Sequence, residues 1–252
     1  MKPILIAILC SLSMLGFAQN ETLFEQGNTL YNEGKYHDAI DKYEQILSTK
    51  KHSAALYFNL ANAHYKLNNI APSIYYYEKA LQLNPNDEEI KNNAAFANNM
   101  KVDAIDTVPE VGFSRIMKNI VNTMSFDNWA KLAVLAVILF VILFLAYHFS
   151  YGTAKKRMAF VSSVLSLIIA CVSVALAFQK FNIDKKDRPA IVFAQESIVK
   201  TEPNLRSEEA FKLHEGTKVQ VLDTVSNWKK IKIADGTTGW ISSEDIKLLN
   251  RF

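Results

Sequence analysis

Two cysteines are all that the 252-residue chain holds, and both, Cys10 and Cys171, fall inside apolar runs. A disulfide framework is therefore not expected, and the compartment must be read from targeting segments. The eight glycines are scattered and build no phosphate-cradling loop. The five histidines, His37, His52, His64, His148 and His214, lack the spacing of metal ligands, and no G-x-S-x-G is present. Charge of one sign is scarce as well. The 28 basic and 25 acidic residues give a net charge of +3, and no basic stripe alternates with aromatics, which sets nucleic acid aside. The carboxylates follow solvated helix faces and offer no pair for acid–base work. No enzymatic activity, cofactor or metal is expected.

What the chain has in quantity is apolar residues, unevenly spread. Met1–Asn20 carries one lysine, an apolar run and then Gly16-Phe17-Ala18. This pattern predicts a signal peptide over residues 1–18, with an uncleaved anchor as the alternative. Trp129–Phe149 and Met158–Phe178 are two further apolar stretches of 21 residues each. As helices they reach roughly 31 Å, the thickness of a bilayer core. Phe126, Trp129, Tyr147 and Tyr151 stand near their borders, as interfacial aromatics do. The connection 150–157 holds Lys155, Lys156 and Arg157 and is expected in the cytoplasm. A small-residue face, Ser162, Ser166, Ala170, Ser173 and Ala177, suits close packing on the first span or on another membrane protein. Between the linker at 107 and the first span, Val111–Met124 reads as an amphipathic helix on the membrane surface. With an exported start and two crossings, both soluble parts are expected in the periplasm of a cell with an inner membrane.

Residues 20–53 and 54–87 repeat one pattern. Leu23, Gly27, Leu30, Tyr36, Ala39, Tyr43 and Ile46 align with Tyr57, Ala61, His64, Ile70, Ser73, Tyr77 and Ala80. Small residues recur where paired helices must approach closely, and Pro85 follows the last helix. The pattern resembles the tetratricopeptide repeat, at that family's 34-residue period. A capping helix is predicted over 87–100. Phe24, Asn28 and Tyr31 recur as Phe58, Asn62 and Tyr65, on a helix face apart from the packing skeleton. The resemblance implies that these positions line a concave groove, where asparagines bond a peptide backbone and aromatics bury side chains. Plain consensus usage is the alternative reading. The family's chaperone-tail binders use a clamp of lysines and asparagines. Only Asn28 and Asn59 match it, while Phe24, Glu89 and Asn93 replace its basic members.

From Pro189 the period changes to two. Ala190–Phe193, Ile198–Lys200, Lys218–Leu222, Lys229–Ile233 and Thr238–Ile241 read as five strands of a small closed barrel, with a turn at Asp235-Gly236. Glu215-Gly216-Thr217, Trp228 and Gly239-Trp240 resemble the landmarks of bacterial SH3-like domains. Some of those relatives bind cell-wall peptides. Trp240 is expected in the core and Trp228 at the surface, where Glu202, Glu208 or Glu209 would help to hold a cationic peptide.

The fold class expected is thus a multidomain membrane protein: an all-α repeat domain, a two-helix transmembrane hairpin and a small all-β SH3-like barrel. That order, together with the segment from Asp103 to Trp129, resembles the BatE family of the Bacteroides aerotolerance operon. The resemblance implies membrane partners of the von Willebrand A type, a second repeat protein and a MoxR-type ATPase, in a role connected with oxygen tolerance. Two functions remain open: a scaffold acting through the repeats, or a peptidoglycan-binding or sensing protein acting through the barrel.

Overall fold

The computed structural model describes residues 19–106 and 112–249. The leader expected at 1–18 and most of the predicted linker ahead of the surface helix lie outside them. The chain forms two units. One joins the segments on either side of the apolar region, and the other spans residues 108–187.

In the first unit, α1 (residues 19–32), α2 (Tyr36–Ser48), α3 (Ala54–Lys66), α4 (Ile70–Leu83) and α5 (Glu88–Asn98) follow one another. The two helix pairs turn at equivalent positions. Gly34 (φ 78°) and Asn68 (φ 59°), one repeat apart, both take the left-handed conformation that ends a helix. Ser53 caps α3 by accepting from the Leu56 N–H, and Asp87 caps α5 by accepting from the N–H groups of Glu89 and Ile90. The repeat core holds Tyr43, Leu60, Ile74 and Tyr77, all fully buried, around Ala39, Ala61 and Ser73. Gly27 lies against the Tyr43 ring, leaving no room for a Cβ.

The C-terminal part contains seven strands rather than the five predicted: β1 (Pro189–Val192), β2 (Glu196–Lys200), β3 (Glu209–His214), β4 (Lys218–Val225), β5 (Trp228–Lys232), β6 (Thr238–Ser242) and β7 (Ile246–Leu248). They make one antiparallel sheet in the order β3-β2-β6-β5-β4-β1-β7, which fits the small all-β SH3-like module expected. Gly236 (φ 92°) makes the β5–β6 turn, and Gly239 lets β6 pass against Val199.

The repeats and the sheet pack into one body. In β1, Ala190, Ile191 and Val192 are all fully buried. Ala190 and Val192 face the sheet's own core, whereas Ile191, with Leu249, belongs to the repeat core. In return, Ile105, which follows α5, packs on the sheet core. Tyr75 Oη donates to the Leu248 carbonyl at 3.4 Å and Gln82 Nε2 to the Leu249 carbonyl at 3.1 Å. Lys218 pairs with Glu78 at 2.8 Å, and Lys247 Nζ lies 4.5 Å from the Tyr75 ring centroid. The carboxylate of Asp103 accepts three hydrogen bonds, each 2.7 Å long, from the His214 N–H, the His214 ring and the Thr217 hydroxyl.

The second unit is a helical hairpin with a short leading helix, α6 (Phe113–Asn122), α7 (Phe126–Phe149) and α8 (Thr153–Lys186). Both α7 and α8 are long and apolar enough to cross a membrane. They run antiparallel. Phe126 meets Phe181 at one end, Tyr147 meets Phe160 at the other, and Ser166 Oγ donates to the Ala136 carbonyl at 2.8 Å between them. The buried stripe of α8 is Ser163, Ser166, Ala170, Ser173 and Ala177, facing Ala133 and Ala136. Ser163 thus takes the place expected for Ser162, because a 3-4-3-4 spacing keeps a seam facing its partner where other spacings drift away. The connection is also shorter than the eight residues predicted. Helix resumes at Thr153, so Lys155, Lys156 and Arg157 lie in the first turn of α8. At its other end α8 continues to Lys186, well past the predicted Phe178, through the stretch 179–186 expected from the sequence to be part of a linker over residues 179–189.

The end of α6 is held from both long helices: the Trp129 indole of α7 donates to the Val121 carbonyl at 3.1 Å, and Lys180 Nζ of α8 donates to Asn122 Oδ1 at 2.9 Å. Ile116, Ile120 and Met124 remain exposed on one side.

Candidate partner-binding groove

The first helices of the two repeats, α1 and α3, lie side by side, with Asn59 Nδ2 donating to Asn28 Oδ1 at 2.8 Å. Two cavities open along this face and share Tyr31 as their common wall. One, of about 290 Å³, is lined by Asn28, Tyr31, Asn32, Tyr43 and Asn59. The other, of about 310 Å³, is lined by Asn62, Tyr65, Lys66 and Tyr77 together with Glu89, Asn93 and Phe96 of α5. The SH3-like sheet contacts the repeats through α4, the second helix of its pair, and through the segment after α5.

Each cavity contains the same construction. Tyr43 Oη donates to Asn28 Oδ1 at 2.9 Å, and Tyr77 Oη donates to Asn62 Oδ1. Burial pushes the Tyr43 hydroxyl up to about 12, opposed in part by the Asn59 side chain, and burial raises Tyr77 too. Both hydroxyls are therefore neutral donors throughout the physiological range. Each asparagine spends its oxygen on a tyrosine. Its NH₂ group has no partner among the described residues.

Five of the seven predicted groove residues come together: Asn28, Tyr31 and Asn59 in the first cavity, Asn62 and Tyr65 in the second. Phe24 and Phe58 do not join them. Their rings pack on Tyr43 and Tyr77, with centroids 5.9 and 6.1 Å apart. Phe24 instead lines a separate cavity of about 340 Å³ with Ile46, His52 and Leu56. A residue one turn from a core contact stays near it, and an apolar ring there gains more by burial than by facing water.

Sequence reasoning missed Asn32, Lys66 and Phe96, and assigned Tyr43 and Tyr77 to packing alone. The signal for Phe96 was an aromatic on a polar helix face, where it is 60% exposed. Tyr43 and Tyr77 are each 1% exposed, so their second role is invisible to a hydrophobic pattern. Lys66 shares its cavity with Glu89, and no cluster of cations marks a carboxylate site there.

On the SH3-like sheet, Trp228 pairs with Ser242 and is partly exposed beside the β4–β5 turn. Trp240 is not in the core as predicted. The flanking Gly239 and Ile241 are buried, so strand alternation turns Trp240 outward, onto the face of Trp228. Its direct cross-strand neighbours are Lys200 and Lys230.

The tetratricopeptide repeat family matches residues 54–87, and the bacterial SH3 domain family matches residues 197–247. No curated protein matches the chain. Among solved structures, an NlpC/P60 family protein from Bacillus cereus is similar at 14% identity and a TM-score of 0.22. The likeness covers 28% of this chain and 23% of that one, too little to support a structural argument.

Proposed function

We propose that this chain is a non-catalytic scaffold of the bacterial inner membrane that holds an extended segment of a partner protein along α1 and α3. The supporting observation is how the repeat surface is divided. The side formed by α4 is covered by the SH3-like sheet, whereas the α1–α3 face keeps two adjoining cavities with amide donors free. Repeats of this kind act through protein partners, and the groove is the face left to meet one.

Two features support a hairpin crossing. The lengths of α7 and α8 suit two spans. The start of α8, just after their short connection, carries Lys155, Lys156 and Arg157, which favours the cytoplasm for that end. The contact of Tyr75 with Leu248 argues for the same topology independently of any leader peptide. Segments that touch must lie on one side of a membrane, so the number of crossings between them is even. With a cleaved leader, that side is the periplasm. The exposed Ile116 and Ile120 of α6, with Met124 just after it and Arg115 and Lys118 on its other side, suit a helix resting in the membrane surface. The order of modules favours a place among BatE-like proteins. Its partners would then be von Willebrand A membrane proteins in a complex serving oxygen tolerance.

A second reading rests on Trp228 and Trp240, which share an outward face, with Lys230 and Lys200 as the cross-strand neighbours of Trp240. Such a face suits peptidoglycan, with the sheet as the wall-binding element.

Photo-crosslinkers placed at Asn62 and at Trp228 in intact membranes separate the two. The scaffold reading expects the Asn62 probe to capture a defined segment of a membrane protein. Capture by the Trp228 probe alone, with glycan peptides in the product, overturns it. Reporters active only in an oxidising compartment, fused after Thr107 and after Phe252, are both expected to work.

A further inference from the structure

The two tyrosine–asparagine pairs sit one repeat apart, at Asn28 with Tyr43 and Asn62 with Tyr77, and they are built alike. In each, a hydroxyl fixed in the core holds the amide by its oxygen, so both N–H donors are left for whatever enters the cavity. We infer that Tyr43 and Tyr77 are positioning residues. They present Asn28 and Asn62 as two equivalent donors to main-chain carbonyls of a segment in a polyproline-II-like conformation. This deepens the groove reading above and rests on it.

Spacing is the first argument for that conformation. Helices in contact lie about 8–10 Å apart, and Asn59 bonding Asn28 shows that α1 and α3 are in contact. A polyproline-II chain has three residues per turn at about 3.1 Å each, so carbonyls i and i+3 point the same way about 9 Å apart. A β-strand places like-directed carbonyls about 7 Å apart and fits less well. The lining is the second argument. Tyr31, Tyr65 and Phe96 stand beside the donors, and aromatic walls with a few fixed donors suit a stiff, unhydrogen-bonded chain. Charge is the third. Lys66 and Glu89 are the only formal charges lining the two cavities, and they are of opposite sign. An internal segment therefore fits better than a free C-terminal carboxylate.

The test uses the full chain in nanodiscs and a fluorescent nonapeptide of three Ala-Pro-Pro units, blocked at both ends. A Gly-Ser nonapeptide serves as the flexible control. The proline peptide is expected to bind and the control to bind at least tenfold more weakly. Tyr77→Phe is expected to weaken binding by roughly three- to tenfold, the worth of one neutral hydrogen bond. In an Asn62→Ala background the same change is expected to have almost no further effect, because the hydroxyl acts through that amide. Tyr43→Phe and Asn28→Ala form a second cycle with the same expectation.

If Tyr77→Phe weakens binding equally with and without Asn62, its role is only structural and the positioning inference fails. If the Gly-Ser peptide binds as well as the proline peptide, the conformational preference fails while the groove reading stands. If neither peptide binds and the Asn62 crosslinker also captures nothing in membranes, the groove reading itself fails.

Discussion

Asp103 lies 111 residues from His214, yet its carboxylate takes two hydrogen bonds from that residue and one from Thr217. Burial alone would raise its pKa. The backbone and side-chain donors outweigh that and hold it below the usual carboxylate value. A lowered folded pKa stabilises the fold above the unfolded value of about 3.9, and the gain disappears as the pH falls through the lower folded value. His64 acts at higher pH. Burial, with the charge of Lys247 and the nearby His37, lowers its pKa to about 4. Its stabilisation is complete above about 6.5 and erodes as the unfolded state takes up the proton first. Melting curves are therefore expected to fall in two stages on acidification. His64→Leu should remove the upper stage, and Asp103→Ala, costing about 2 kcal/mol at neutral pH, the lower. At this scale the sequence told least. It singled out Asn28 and Asn62, since recurrence at one period marks them, and both line the cavities of the α1–α3 face. It could not reveal the hydroxyls that hold them, because a tyrosine in a core position looks the same whether or not its tip has work to do.

Among the elements, the pairing of α7 with α8 depends on side chains small enough to bring two backbones together. Ser166→Leu places a branched chain against Ala136 and is expected to cost about 1–3 kcal/mol. Ser162→Leu, on the exposed side, is expected to leave the hairpin's melting in detergent unchanged. Circular dichroism of the two variants tests the pair. The elements that the sequence displayed were the ones with long periodic signals: the repeat helices and the two apolar runs. It lost β3 and β7. The first lies on an edge of the sheet and is mostly exposed, and the second is only three residues long. The excess length of α8 was hidden because its extension, through Lys180 and Lys185, is polar and ends the hydropathy signal before the helix ends.

For the molecule as a whole, the union of repeats and sheet was the feature least foreseeable, since its contacts join residues up to 173 apart. One hint was present. Ala190-Ile191-Val192-Phe193 lacks the alternation of a strand with one wet face, which is how a strand buried on both sides reads. Gly216 tests how firmly the halves are joined. It has φ +83°, and a Cβ there would lie 2.8 Å from Ile74 Cδ1 and 3.0 Å from Ile70 Cγ2. Gly216→Ala is expected to split one cooperative transition into two. Far-ultraviolet dichroism would then follow the repeats and tryptophan emission the sheet, at different temperatures. Coincident transitions in the variant would show that the junction tolerates the change. The same junction sets an order of events during synthesis. Ile70, Ile74 and Tyr75 emerge more than a hundred residues before Ile191 and Leu249, which cover them. A chain truncated before its last strand keeps that greasy surface bare. Quality-control proteases then have a ready way to tell finished molecules from failed ones.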